Sequence, residues 1–157
     1  MSERSASTER NQVGCGGVVD GPKIDGRDGC VRVRTPGTLR AKQGLPYYLG
    51  ISGKTAAAKG LSLNLIVIPP GGKAEPHSHS RFESALYVIS GRAMNHWGPK
   101  LEHAIETAAG DFVFIAPNVP HYPENLSQTE PVIAVVARND PDEQEHVILY
   151  RGVSRGR

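Results

Sequence analysis

"EPHSHSRFESALYVISG" runs from Glu75 to Gly91. Two histidines stand one residue apart, a glutamate follows four residues after the second, and an apolar run closes on a glycine. Along a strand, residues i and i+2 face the same way. His77 and His79 therefore project from one face, with Ser78 on the other. Pro76 fixes the approach, and Gly71 and Gly72 supply the preceding turn. After the short connection Ser80–Phe82, Glu83 swings back to the same point if its strand pairs with the histidine strand. Two imidazoles and a carboxylate suit Mn, Fe, Ni, Cu or Zn, and no thiolate joins them to make a soft-metal trap. Alone, His-x-His is a weak signal, because two surface histidines beside an unrelated glutamate are the commoner arrangement.

A second stretch changes that balance. "GDFVFIAPNVPHYPEN" spans Gly110 to Asn125. An apolar strand, Phe112 to Ile115, leads into a turn and then to His121. Pro117 and Pro120 stiffen the turn, so a third imidazole arrives at a fixed angle, and the prolines suit a loop better than a central ladder position.

Together the two stretches resemble the two motifs of the cupin superfamily. The first reads glycine, five residues, His-x-His, three or four residues, glutamate, six residues, glycine. Gly71, His77, His79 and Glu83 fit it, and Gly91 comes one residue late, which calls for an extra residue or a bulge after Glu83. The second reads glycine, five residues, Pro-x-Gly, two residues, histidine, three residues, asparagine. Gly110, His121 and Asn125 fit it. Ala116 stands where a proline is expected and Asn118 where a glycine is. Asn tolerates a left-handed backbone, so Asn118 keeps the turn, and Pro117 partly compensates for Ala116.

The resemblance covers roughly residues 45 to 150. It implies an all-β fold, a double-stranded β-helix or jelly-roll barrel, with one divalent transition metal inside. His77, His79, Glu83 and His121 would hold it, with Fe or Mn favoured and Ni, Zn or Cu also admitted. It further implies a metal-dependent enzyme acting on a small organic substrate, foremost a dioxygenase-like oxidoreductase, in which Glu83 also serves as base. A non-redox isomerase or lyase is the second reading, and a non-catalytic binding or sensing module the third, since fold alone does not settle function.

Tyr87 lies four residues beyond Glu83 and shares its face, as a cavity hydrogen-bond donor or as barrel filling. Tyr122 is placed at the cavity mouth. His96 is weighed as a proton shuttle against a surface histidine, while His103 and His146 carry no pattern. Asn125 is expected to tie the loop behind His121 by backbone hydrogen bonds. Phe112 and Phe114 are expected to pack. "ARNDPDEQE", residues 137 to 145, reads as a solvated connection whose Arg138 could close over the barrel.

The rest of the chain agrees with a small β domain. Its 157 residues suit one domain. Short runs rich in Val, Ile, Leu and Tyr are separated by Gly, Pro, Asn and Asp clusters, as in a sandwich or barrel. "CVRVR", "PYYLGIS", "LSLNLIVIPPGG", "ALYVISG", "RAMNHWG", "AIET", "DFVFI", "PVIAVVARND" and "HVILY" are the expected strands. "ALYVISG" and "RAMNHWG" are read as a pair separated at Gly91, "AAGD" as the turn flanked by "AIET" and "DFVFI", and "GKTAAAKG" is the best helical candidate, too short to stand alone. Residues 1–29 are polar and glycine-rich and read as a disordered tail, leaving 30–157 as the single barrel domain. A net charge of +2 with interspersed signs gives no case for nucleic acid or an anionic membrane. No secretory or membrane-spanning apolar run is present, and Cys15 and Cys30 form no disulfide framework, so a cytoplasmic protein is expected. A homodimer is expected from "CVRVR" and "PYYLGIS", through residues such as Tyr47 and Leu49.

Overall fold

The computed structural model describes residues 21–35, 37–142 and 144–152. Its elements, in chain order, begin with β1 (Lys23–Arg27), β2 (Cys30–Arg34), β3 (Leu39–Arg40) and β4 (Pro46–Ile51). A one-turn helix α1 (Gly53–Ala56) precedes β5 (Ser62–Ile68), β6 (His77–His79), β7 (Ser84–Ser90) and β8 (Arg92–Trp97). Then come β9 (His103–Ala108), β10 (Phe112–Ile115), β11 (His121–Asn125), β12 (Val132–Arg138) and β13 (Val147–Leu149). All the strand pairings are antiparallel.

Two sheets make the barrel. One has six strands in the order β10-β7-β12-β5-β4-β3, the other five in the order β13-β6-β11-β8-β9. This is the expected all-β double-stranded β-helix. The connection at Gly91 differs from expectation, and the one at "AAGD" is of the same kind. Strands β7 and β8, joined at Gly91, lie in different sheets, as do β9 and β10, joined at the "AAGD" turn. These turns therefore carry the chain from one sheet to the other instead of closing hairpins. Gly91 has φ +84, and a Cβ there would stand 2.7 Å from the Pro131 carbonyl oxygen, so this crossing requires glycine.

The interior changes character along the barrel axis. Leu45, Ile68, Ala74, Val88, Ala93 and Val132 form an apolar cluster at one end, with Tyr122 packed against it. Following the inward positions toward the other end, β5 presents Asn64 and Ser62, β7 presents Ser84, and β12 ends at Arg138. The apolar end supplies the burial that holds the sheets together, and the polar end is left for chemistry.

Two expectations about the early chain need correction. The segment expected to be tail through Gly29 includes β1, which pairs with β2 from Lys23↔Arg34 to Arg27↔Cys30. Cys15 lies outside the described residues, and Cys30 is a free, exposed thiol. Tyr47, expected on a dimer surface, is buried in the barrel, because the alternation of β4 turns Tyr48 outward instead. Among the described residues, no helix is long and apolar enough to cross a membrane.

Candidate metal centre

His77 on β6 and His121 on β11 are direct register partners, which sets their side chains next to one another. His79 follows two residues along β6 on the same face. Ring centroids are 4.4 Å apart for His77–His121, 5.1 Å for His77–His79 and 5.4 Å for His79–His121. All three are buried, and one ring nitrogen from each lies within 4.8 Å of the others.

Two of the rings are oriented by backbone. His77 Nδ1 lies 2.8 Å from the Glu75 carbonyl oxygen, and His121 Nδ1 lies 2.9 Å from that of Val119. A carbonyl only accepts, so each Nδ1 carries the proton and each Nε2 keeps its lone pair. Burial, the largest cause, disfavours the charged imidazolium and lowers the pKa of His77 to about 3 and of His121 to about 4. Burial also lowers that of His79, followed by the positive charge of Arg138. Three neutral imidazoles with two free Nε2 lone pairs are a donor set for a first-row divalent metal.

The surrounding loops are tied to this cluster. Asn118 has φ +64, the left-handed conformation expected of it, and its N–H donates to the His79 carbonyl oxygen at 2.9 Å. Asn125 behaves as expected. Its Nδ2 donates to the carbonyl oxygens of Ile68, Pro69 and Glu130, and its Oδ1 accepts from the Ser127 N–H. His121 opens a strand instead of a loop, because β11 pairs on both sides, with β6 and β8.

Glu83 is not brought to the histidines. It is exposed on the shoulder of β7, where its backbone N–H donates to Asn139 Oδ1 at 2.9 Å. Tyr87 shares its face, as the spacing predicts, but that face points out of the barrel. Tyr87 is 40% exposed, with its ring 4.8 Å from that of Phe112. The inward set on β7 is Ser84, Leu86 and Val88. A bulge does occur in β7, at Ile89 opposite the Ile133/Ala134 step, but it lies too far along to turn Glu83 inward. Counting back six residues from Gly91 gives Ser84 as the residue at the glutamate position, and Ser84 is the one that is fully buried.

Arg138 is the residue that the sequence reading left outside the site. Its register partner on β7 is Ser84. Its Nε donates to Ser84 Oγ at 2.9 Å, and its Nη2 lies 3.0 Å from His79 Nε2. Its signal was present: Val132, Ala134 and Val136 alternate inward along β12, and Arg138 is the next position in that series. Tyr122 stacks on His96 at 4.6 Å, and His96 also faces Glu124 at 3.9 Å, away from the three-histidine group. His103 stands beside Trp97 and Glu102, and His146 bonds to the buried Asp140 at 2.7 Å.

His77, His121 and Arg138 line a cavity of about 40 Å³, with Gln43, Asn64 and Asn95 among its polar walls. No carboxylate is among the described residues that line it. Gln43 Oε1 and His79 Nδ1 are buried without a hydrogen-bond partner. A second hollow, of about 450 Å³, shares His121, Asn95 and Ile115 with the first and is walled by Trp97, Phe112 and Phe114. Phe112 and Phe114, expected to pack, are 82% and 64% exposed at its rim.

Comparison with known proteins places these features in a family. The family model described as Cupin domain matches residues 64–138, which include His77, His79, His121 and Arg138. A probable oxalate decarboxylase of Arthroderma benhamiae is 36% identical over 78 residues, which are 48% of this chain and 19% of that protein. The chain thus spans about a fifth of the length of that curated relative. A formate complex of oxalate decarboxylase from Lactobacillus farciminis superposes with a TM-score of 0.61 at 23% identity, over 71% of this chain and 32% of the other. An uncharacterized double-stranded β-helix protein of Klebsiella pneumoniae superposes with a TM-score of 0.57 at 20% identity, over 73% of this chain and 85% of the other.

Proposed function

Because this chain is a member of the cupin superfamily, we propose that it is a metal-dependent enzyme acting on a small organic molecule. The observation that carries this reading is the convergence of three buried, neutral imidazoles at the polar end of the barrel. His77, His79 and His121 would hold one divalent ion, with Fe or Mn favoured. Glu83, placed in that shell by the motif spacing, is left out of it because it is exposed.

Such an ion supplies Lewis acidity or, for a redox metal, electrons for dioxygen chemistry. The chain's own residues do the rest. His77 and His121 arrive with their tautomers set by the Glu75 and Val119 carbonyls, so binding needs no proton rearrangement at those rings. The strands around the cluster keep the three imidazoles out of water. Asn95 and the apolar walls of the larger hollow would orient the body of a substrate.

An oxygenase is the reaction we place first, because a shell with only three protein ligands leaves coordination positions for both a substrate and a second small molecule. A lyase-type decarboxylation is the second reading, supported by the 36% identity to a probable oxalate decarboxylase. Protein loaded with Fe(II) without oxygen and then mixed with air and a panel of small acids separates the two. Oxygen uptake coupled to substrate loss supports the first, and carbon dioxide release without oxygen uptake supports the second. Neither response from Fe- or Mn-loaded protein across the panel would leave a binding module. The proposal keeps a homodimer, now resting on the exposed Phe112 and Phe114 instead of Tyr47, and light scattering checks it.

A further inference from the structure

Two cavities meet at His121, and they differ in size and in chemistry. The smaller, of about 40 Å³, is the one that His77 and His121 line together. The larger, of about 450 Å³, falls within the size range of small-molecule pockets, about 300–1,000 Å³. Aromatic side chains dominate its wall: Trp97, Phe112, Phe114 and Tyr122, to which Ile105 adds an aliphatic patch. No Asp, Glu, Lys or Arg is among the described residues that line it. A charged group carried into this hollow would lose water without gaining a counter-charge from the wall. The hollow therefore suits an uncharged, apolar body, and rings pack well on aromatic walls. Besides His121, one polar residue lines both cavities, and it is Asn95 on β8. Its Nδ2 donates to Thr107 Oγ1 at 2.8 Å across the β8–β9 pair, which fixes the turn of the amide. No donor among the described residues reaches its Oδ1. That oxygen is left to accept a hydrogen bond where the two cavities join, and a hydroxyl is a neutral group that supplies one.

We propose that the larger hollow takes a neutral, ring-bearing molecule whose hydroxyl donates to Asn95 Oδ1 at the junction with the metal cavity. This rests on the metal-binding reading above for what then happens to the molecule, and deepens it by naming the substrate class. Binding itself uses only the chain's own residues. The ring lies against the aromatic wall, and the hydroxyl oxygen stands on the side of His121, one of the three metal-holding imidazoles. One water needs about 10–15 Å³ of such space, so the smaller cavity of about 40 Å³ admits only a few heavy atoms. A two-carbon diacid would fit there and leave the aromatic hollow unfilled. The wall also carries apolar surface that a bound ring would cover, since Ile105 is 53% exposed.

Trp97 is the only tryptophan of the chain and lines the hollow, so its fluorescence reports occupancy without turnover. Chelator-treated protein is titrated with 3-nitrophenol and with 3-nitroanisole, two quenching rings of which only the first has a hydroxyl to donate. Free tryptophan corrects for absorbed light, and oxalate is the control. The wild type should show saturable quenching with both rings and none with oxalate. It should bind 3-nitrophenol about three- to tenfold more tightly than 3-nitroanisole, the range of one net hydrogen bond between neutral groups. Asn95→Leu should bind the two rings equally. If Asn95→Leu does not fold, Asn95→Ser, whose side chain is too short to replace the amide, decides the same point. Ile105→Asp should weaken both rings by at least about threefold, because a charge enters the uncharged wall. Absence of saturable quenching, a hydroxyl preference that survives loss of the Asn95 amide, or ring binding indifferent to Ile105→Asp overturns the inference. Uptake of cobalt(II), read from its visible bands, is scored separately on the same protein. Uptake without ring binding overturns the inference and leaves the metal reading standing, and ring binding without uptake does the reverse.

Discussion

Lowering the pH should unfold the metal-free protein through its buried histidines. In the folded chain the pKa of His77 is lowered to about 3 and that of His121 to about 4, chiefly by burial, from an ordinary 6.5. Below about pH 6.5 the unfolded chain takes up protons that the folded chain refuses. Stability therefore rises with pH through this window, is fully present above about 6.5, and is lost as pH falls toward the folded values. Each unit below 6.5 costs about 1.4 kcal/mol per histidine, so at about pH 5 each contributes roughly 2 kcal/mol of destabilisation. Two histidines give about 4 kcal/mol, and His79, shifted in the same direction, adds to it. That is a large share of the 5–15 kcal/mol typical of a whole domain. Urea denaturation of chelator-treated protein, followed by circular dichroism at about pH 7 and about pH 5, measures the difference. A bound metal holds the imidazoles neutral in the fold, so loaded protein should withstand a lower pH than metal-free protein. Metal-free stability at about pH 5 within about 1 kcal/mol of that at about pH 7 would refute the reasoning, since the three rings would then not be buried as neutral groups.

Other substitutions separate structural from site roles. Asn125→Ala strips donors from three backbone carbonyls and should cost about 2–4 kcal/mol by urea denaturation. Gly91→Ala forces a side chain into a left-handed backbone against the Pro131 carbonyl and should cost at least about 2 kcal/mol, read as a lowered melting temperature. Tyr87→Phe should leave cobalt uptake and its visible bands unchanged, because Tyr87 sits on the outer face.

Much of this was legible in the sequence, for reasons that differ between residues. The histidines were found because a metal site needs fixed spacing, and the i, i+2 rule is enough to place His77 and His79 together. Most of the longer strands were found because short β-branched runs between turn residues leave little choice, whereas β1, β3 and β11 carry no such run. What strand alternation does not give is which face turns inward. Glu83 and Tyr87 were correctly placed together, yet packing of Ser84, Leu86 and Val88 against the interior puts them outside. The same ambiguity put Tyr47 on the wrong side of β4. Arg138 was hidden by its neighbours. It ends a buried strand but begins the charged run Arg138–Asp142, and composition favoured the solvated reading. The sheet-to-sheet crossings at Gly91 and "AAGD" could not be told from hairpin turns, because both need the same left-handed glycine geometry.

The central claim, a metal held by three histidines with no help from Glu83, is tested most directly by metal content. Wild type, His77→Ala, His79→Ala, His121→Ala and Glu83→Gln would be purified without chelator and measured by plasma mass spectrometry. The account predicts one transition-metal ion per chain in the wild type and in Glu83→Gln, and a strong loss in each histidine variant that keeps its β spectrum. Full occupancy in the histidine variants, or loss of the metal in Glu83→Gln, would contradict it.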